Sequence, residues 1–248
     1  RQGFPVVHMD VVEPWEEARV RLENDFHLNA HATPGEFLRQ ADMIVWAVKP
    51  QMFKDAAAAV AQWNTQAVHL SVMAGIPSDS IARATGNERV VRTMPNTPAL
   101  IGKGMTALFA RPCVTAAERQ WATDILSSTG ATVWLTEEAQ LDAVTALSGS
   151  GPAYMFFFME AMTEAGEKMG LPREQAYQLA VATFIGAGEL ARASTEPPEV
   201  LRQRVTSKGG TTHAAITAME ASGVKDAFVQ AMLAAQKRAQ ELGLEFGV

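Results

Sequence analysis

The sequence predicts two unlike halves: a doubly wound α/β sheet domain over residues 1–136 and an all-helical domain over residues 137–248. Three observations carry this. Up to about Val133, short apolar runs alternate with amphipathic ones, the pattern of strands separated by helices. Runs such as Met43-Ile44-Val45-Trp46-Ala47-Val48 do not alternate in polarity, as expected of strands covered on both faces. After Glu137 the β-rich runs vanish, and Ala, Met, Gln and Glu recur at helical spacing.

Taken in order, the strands are expected at Val6–Glu13, Phe26–Ala30, Asp42–Val48, Ala67–Met73, Arg89–Met94, Met105–Ala110 and Thr132–Leu135. Helices are expected between them at Trp15–Glu23, Met52–Trp63 and Thr115–Ser128. In the second half Phe228, Ala231, Met232, Ala235, Ala239 and Leu242 follow the spacing of one buried helical face. Tyr154–Met169 and Gln175–Ala193 are apolar around much of their circumference. Helices of that kind need cover on several sides, which points to a homo-oligomer built through this half; the alternative is a self-contained bundle.

Composition narrows the partners. The net charge of −6 and pI near 5.4 argue against a dedicated nucleic-acid binder, which needs clustered cations. Cys113 is the one cysteine, so no disulfide or thiolate cluster forms within a chain, which suits a reducing cytoplasm. The most apolar stretch, Pro152 to Met159, stops at Glu160, too short for a membrane span. His8, His27, His31, His69 and His213 show no paired metal spacing and no obvious carboxylate partner in sequence, so no metal is expected.

Ligands of open parallel sheets bind beyond the carboxyl ends of the strands. Three segments stand there: Ala47-Val48-Lys49-Pro50, Ser71-Val72-Met73-Ala74-Gly75 and Thr93-Met94-Pro95-Asn96-Thr97-Pro98. Small residues and prolines let a backbone approach a flat ligand, while Lys49 and Asn96 offer directional polar groups, so together they suggest a nucleotide site. No G-x-G-x-x-G follows a first strand; the expectation is that one strand-loop-helix unit of about 30 residues, carrying that loop, precedes Arg1. Glu13 ends a strand where an acidic side chain accepts from a ribose diol and repels a 2′-phosphate, favouring NAD over NADP. Its alternative is a surface carboxylate ahead of a helix beginning at Pro14.

The helical half holds two Gly-rich interruptions. Ala146-Leu147-Ser148-Gly149-Ser150-Gly151-Pro152 reads either as a broken helix exposing amides and hydroxyls to a ligand or as a plain loop. Val205-Thr206-Ser207-Lys208-Gly209-Gly210-Thr211-Thr212 precedes a helix expected at His213–Glu220. The amides of such a turn converge at a positive helix end, a place for a carboxylate or phosphate, with Ser207, Thr211 and Thr212 adding hydroxyls.

These blocks, in this order and at this spacing, resemble the pyrroline-5-carboxylate reductase family from about Val6 to the C-terminal end. The resemblance implies a Rossmann domain, a helical domain that interlocks with a second subunit, and often a ring of dimers. It implies reduction of 1-pyrroline-5-carboxylate to L-proline with NADPH or NADH, the family often preferring NADPH, and a cytoplasmic enzyme. Carried onto these positions, Ser207, Gly209, Gly210 and Thr211 would hold the substrate carboxylate, and Thr212 would hydrogen-bond at the ring nitrogen. Ala47, Val48, Lys49, Pro50, Met73, Ala74 and Asn96 would line the nicotinamide and its ribose. Ser148, Gly149, Ser150, Gly151 and Pro152 would wall the pocket. Two other readings stand beside it: a β-hydroxyacid dehydrogenase, for which Lys168 is poorly placed as acid/base, and a non-catalytic nucleotide-binding scaffold.

Overall fold

The computed structural model describes residues 5–246 and divides into two compact units. The first comprises the residues up to Gly149 together with those from Gln236 onward, and the second runs from Ser150 to Ala235. The division thus lies later than the change of sequence character at 136/137, because the chain from Leu141 to Gly149 still packs with the sheet unit.

In the first unit, β1 (Asp10–Val12) pairs in parallel with β2 (Asn29–His31). A separate five-stranded sheet has the order β3 (Met43–Trp46), β4 (Val68–Ser71), β5 (Val90–Met94), β6 (Gly104–Ala110), β7 (Gly130–Trp134). Among the described residues β1 and β3 each have one neighbouring strand. The helices here are α1 (Glu16–Phe26), α2 (Phe53–Ala61), α3 (Ser78–Thr85), α4 (Ala116–Ser127) and α5 (Gln140–Val144).

Successive strand residues point to opposite faces, and the core divides accordingly. Val68, Leu70, Val91 and Leu108 pack with Ala122 and Leu126 of α4. Trp46, Val90 and Ala67 pack with Phe53, Ala57 and Val60 of α2 and Ile81 of α3. Helices on both faces cover β4 and β5, whereas β3 departs from the expectation for Met43–Val48, since Val45 is exposed and alternates with buried Ile44 and Trp46. His69 is the polar exception: fully buried, its Nδ1 accepts from Trp46 Nε1 at 3.0 Å, and its Nε2 has no partner. Burial, with Arg89 adding, lowers its pKa to about 4, so the ring is neutral.

Two further expectations need correction, and one open choice is decided. Val6–His8 forms a 3-10 turn rather than the start of a strand. Strand β6 runs antiparallel to β5, so the sheet is not wholly parallel; the chain reverses through a 3-10 turn at Thr97–Ile101. Of the two readings of the Ala146–Pro152 block, the structure takes the interrupted helix rather than the plain loop. α5 continues as a π-turn, Thr145–Gly149, into α6 (Gly151–Lys168), with Pro152 in the first turn where its missing N–H costs nothing.

The second unit contains α6, α7 (Arg173–Ala193), α8 (Pro198–Arg204), α9 (Thr211–Ala221) and the first part of α10 (Val224–Phe246). α6 and α7 meet through small residues: a Cβ on Gly166 would lie 2.5 Å from Ala176 Cβ. The Phe228 ring packs edge-on against Tyr154 and Phe158. The long apolar side chains otherwise face outward, including Phe156, Phe157, Tyr177, Leu179, Ile185 and Leu190.

Candidate functional site

The parallel register of β3, β4 and β5 brings Trp46, Ser71 and Arg92 side by side, so the three segments that follow them emerge along one edge. On that edge Ala47, Lys49 and Ala74 are exposed, and Val48 is half-buried against the core. Pro50 opens a 3-10 turn that leads into α2. Small exposed side chains on adjacent loops leave room for a flat ring against the backbone, which fits a dinucleotide. Met73 is different. Its side chain lies in the core and its N–H donates to Ser71 Oγ at 3.2 Å, so only its backbone can border a ligand.

The Asn96 side chain is committed to the protein. Its Oδ1 accepts from Met105 N–H at 2.9 Å, and its Nδ2 donates to Ser148 Oγ at 3.2 Å and Ser148 O at 3.3 Å. Gly149 sits above the end of β5, where a Cβ would lie 2.5 Å from Met94 Cε.

Glu13 follows β1 in the smaller sheet. Its Oε1 accepts from Trp15 N–H at 2.9 Å, capping the entry to α1, and its second oxygen is left for another donor. His31 has a carboxylate that the sequence did not suggest, with Nε2 3.1 Å from Asp10 Oδ1, and its ring stacks on Phe37. Lys168, at the end of α6, is exposed and pairs with Glu164 of the preceding turn.

A carboxylate missed by sequence reading organises the underside of this edge. Glu138 Oε1 accepts from Ser78 N–H and Arg92 Nη1, each at 2.6 Å, and Oε2 accepts from Ser78 Oγ. It therefore caps α3 and neutralises a buried guanidinium on β5 at once. Burial, opposed by Arg92 and assisted by Glu138, raises the Asp142 pKa nearby. Sixty residues separate Glu138 from Ser78, so no local pattern could have revealed the link.

In the second unit the Ser207–Thr212 turn has the shape of an anion cradle. Gly209 has φ of +77°, a region that disfavours side chains, and a Cβ on Gly210 would lie 2.7 Å from Ser207 Oγ. Gly210 is the N-cap of α9 and supplies no side-chain cap, leaving the first N–H groups of the helix, from Thr211 and Thr212, free. The hydroxyls of Ser207, Thr211 and Thr212 also face no protein partner among the described residues. Ser150 stands at the N-cap of α6 without a side-chain cap bond.

A separate cleft of about 570 Å³ runs along α6 and α7, lined by Phe156, Met159, Glu160, Thr163, Arg173 and Tyr177. It belongs to the outward apolar surface rather than to either cluster of free amides and hydroxyls.

Fold and site together define a class: a Rossmann-type oxidoreductase in which a nucleotide-binding sheet precedes a helical unit. Comparison with known proteins makes this specific. A family model described as pyrroline-5-carboxylate reductase dimerisation matches residues 138–242. Pyrroline-5-carboxylate reductase of Pseudomonas aeruginosa is 43% identical over 248 residues, covering 99% of this chain and 91% of its own. The Haemophilus influenzae enzyme is 37% identical, covering 98% and 90%. The solved Coxiella burnetii enzyme superposes with a TM-score of 0.86 at 33% identity, over 94% of this chain and 87% of its own. The Plasmodium falciparum enzyme, solved with NADP bound, gives 0.80 at 30% identity, over 87% and 82%. This chain belongs to the pyrroline-5-carboxylate reductase family.

Proposed function

We infer that this chain catalyses the last step of proline biosynthesis, the NAD(P)H-dependent reduction of 1-pyrroline-5-carboxylate to L-proline. The observation that carries the reading is the uncapped Ser207–Thr212 turn, whose free amides and hydroxyls suit a small carboxylate. The first unit is read as the dinucleotide-binding domain and the helical unit as the substrate-binding and dimerisation domain.

The Thr211 and Thr212 N–H groups and the Ser207 hydroxyl hold the substrate carboxylate, with Gly209 and Gly210 giving the backbone its close approach. Ser150 adds a hydroxyl on the same unit. The Thr212 hydroxyl hydrogen-bonds at the ring nitrogen and favours the polarised or protonated C=N. Ala47, Val48, Lys49, Pro50, Ala74 and the Met73 backbone border the nicotinamide and its ribose, with Asn96 at the same edge. A reduced nicotinamide, when bound, supplies the hydride that the imine carbon accepts, while the nitrogen gains a proton. Such a reaction needs positioning more than a strong acid, which agrees with a site built of amides and hydroxyls.

Glu13, with one carboxylate oxygen unused, favours NADH by accepting from the adenosine ribose. The enzyme works in the cytoplasm as a homodimer. The apolar outer faces of α6 and α7 support the dimer: a helical unit that buries so little of its own apolar surface needs a second copy.

Proline formation by the full natural chain, measured with NADPH and NADH in parallel, tests the reading. Thr212→Ala is expected to lower kcat by about 10- to 100-fold with an unchanged melting temperature. Unchanged turnover removes the hydroxyl from the reaction, and a strong NADPH preference removes Glu13 from cofactor choice.

A further inference from the structure

The Asn96–Ser148 contact changes what each residue can do. An amide nitrogen cannot accept a hydrogen bond, so in the 3.2 Å contact the Ser148 hydroxyl must be the acceptor. Its own proton is therefore left over, and it has no acceptor among the described residues. At the other end Asn96 Oδ1 is held by Met105 N–H, which fixes the amide in one orientation and rules out a flipped assignment. The Ser148 carbonyl takes the second contact from the same nitrogen, so hydroxyl and backbone are fixed together. The π-turn makes this possible: it interrupts the regular helical ladder at Thr145–Gly149 and brings Ser148 to the loop after β5, with Gly149 seated on Met94.

We propose that Asn96 is a positioning residue that orients the Ser148 hydroxyl as a hydrogen-bond donor, and that Ser148 rather than Asn96 makes the polar contact with the ligand of this edge. The chemical partner of a lone, fixed hydroxyl donor is a neutral carbonyl oxygen. On the functional reading above, on which this rests, that oxygen is the nicotinamide carboxamide, whose recognition sets which way round the ring lies.

A double-mutant cycle in the full natural chain tests it, with NADPH affinity read by fluorescence titration and turnover measured separately. Ser148→Ala and Asn96→Ala are each expected to weaken NADPH binding about tenfold, and the double variant also about tenfold, because one residue acts through the other. Asn96→Asp keeps an acceptor for Met105 N–H but cannot donate to Ser148 and would itself take the hydroxyl proton, so it is expected to match Asn96→Ala in affinity. Losses that multiply to about a hundredfold in the double variant, or an Asn96→Asp protein that binds like the parent, overturn the proposal. A parent protein that binds NADPH but forms no proline sinks the functional reading alone, since the cycle in affinity still reports the coupling. A parent that binds neither NADH nor NADPH overturns both.

Discussion

The two units solve the burial of apolar surface in opposite ways. The sheet unit closes over large side chains: Phe53, Leu70, Ile76, Ile81 and Leu108 are each at most 2% exposed. In the helical unit the fully enclosed positions are small, Thr163, Gly166, Ala176 and Ala180, whereas Phe157 is 66% and Ile185 59% exposed. Small residues let α6 and α7 approach closely and leave their large neighbours to face outward. The sheet unit is held by contacts within itself; on the dimer reading, the helical unit is one side of a larger core. On that reading the stability of the second half should depend on protein concentration while that of the first half does not.

Charging the outward face breaks this contrast most forcibly. Phe157→Glu with Ile185→Glu is expected to weaken self-association by more than about a hundredfold, roughly 3–5 kcal/mol, by sedimentation velocity, and to abolish the concentration dependence of unfolding. A charged variant that stays dimeric would show that these faces lie outside the interface.

An internal break in the sheet unit should look different. Glu138→Ala removes the ion-pair partner of the buried Arg92 guanidinium and uncaps α3, at a cost of about 3 kcal/mol. Calorimetry is expected to show a melting temperature lowered by roughly 10 °C at every protein concentration. A loss that fades at high concentration would mean that assembly supports this unit as well.

The smallest effect sharpens the comparison through pH. His69 ionises near its ordinary value when unfolded but at about 4 when folded, so between those limits the unfolded chain binds the extra proton. Its contribution is present above about pH 6.5 and is lost as pH falls toward 4, amounting to about 2 kcal/mol by pH 5. His69→Phe, which loses only the contact with Trp46 Nε1, is expected to flatten this part of the pH–stability curve. A variant as acid-sensitive as the parent assigns the dependence to other groups.

The α/β plan was legible because short apolar runs mark β3, β4 and β5, of which β4 and β5 are buried on both faces while Val45 leaves one face of β3 exposed. The long helices were legible because their spacing survives in Ala- and Met-rich sequence. α3 was not, since its buried face is made largely of Ser78, Ser80 and Thr85, which do not register as apolar. The direction of β6 was hidden too, because a strand has the same composition in either sense. The three edge segments and the Ser207–Thr212 turn were found because Gly and Pro punctuate them. What each side chain does there was beyond reach: Asn96 meets Ser148 from 52 positions away, and Met73 turns inward although its sequence neighbours do not.

The reversal of β6 has a practical outcome. The strand delivers its last residue to the opposite rim of the sheet from Asn96, where Arg111 N–H bonds to Val90 O at 3.0 Å. The short connection there carries Cys113, the chain's single thiol, in an exposed position. A maleimide dye can be attached at that spot without engineering, on the rim of the sheet opposite Asn96.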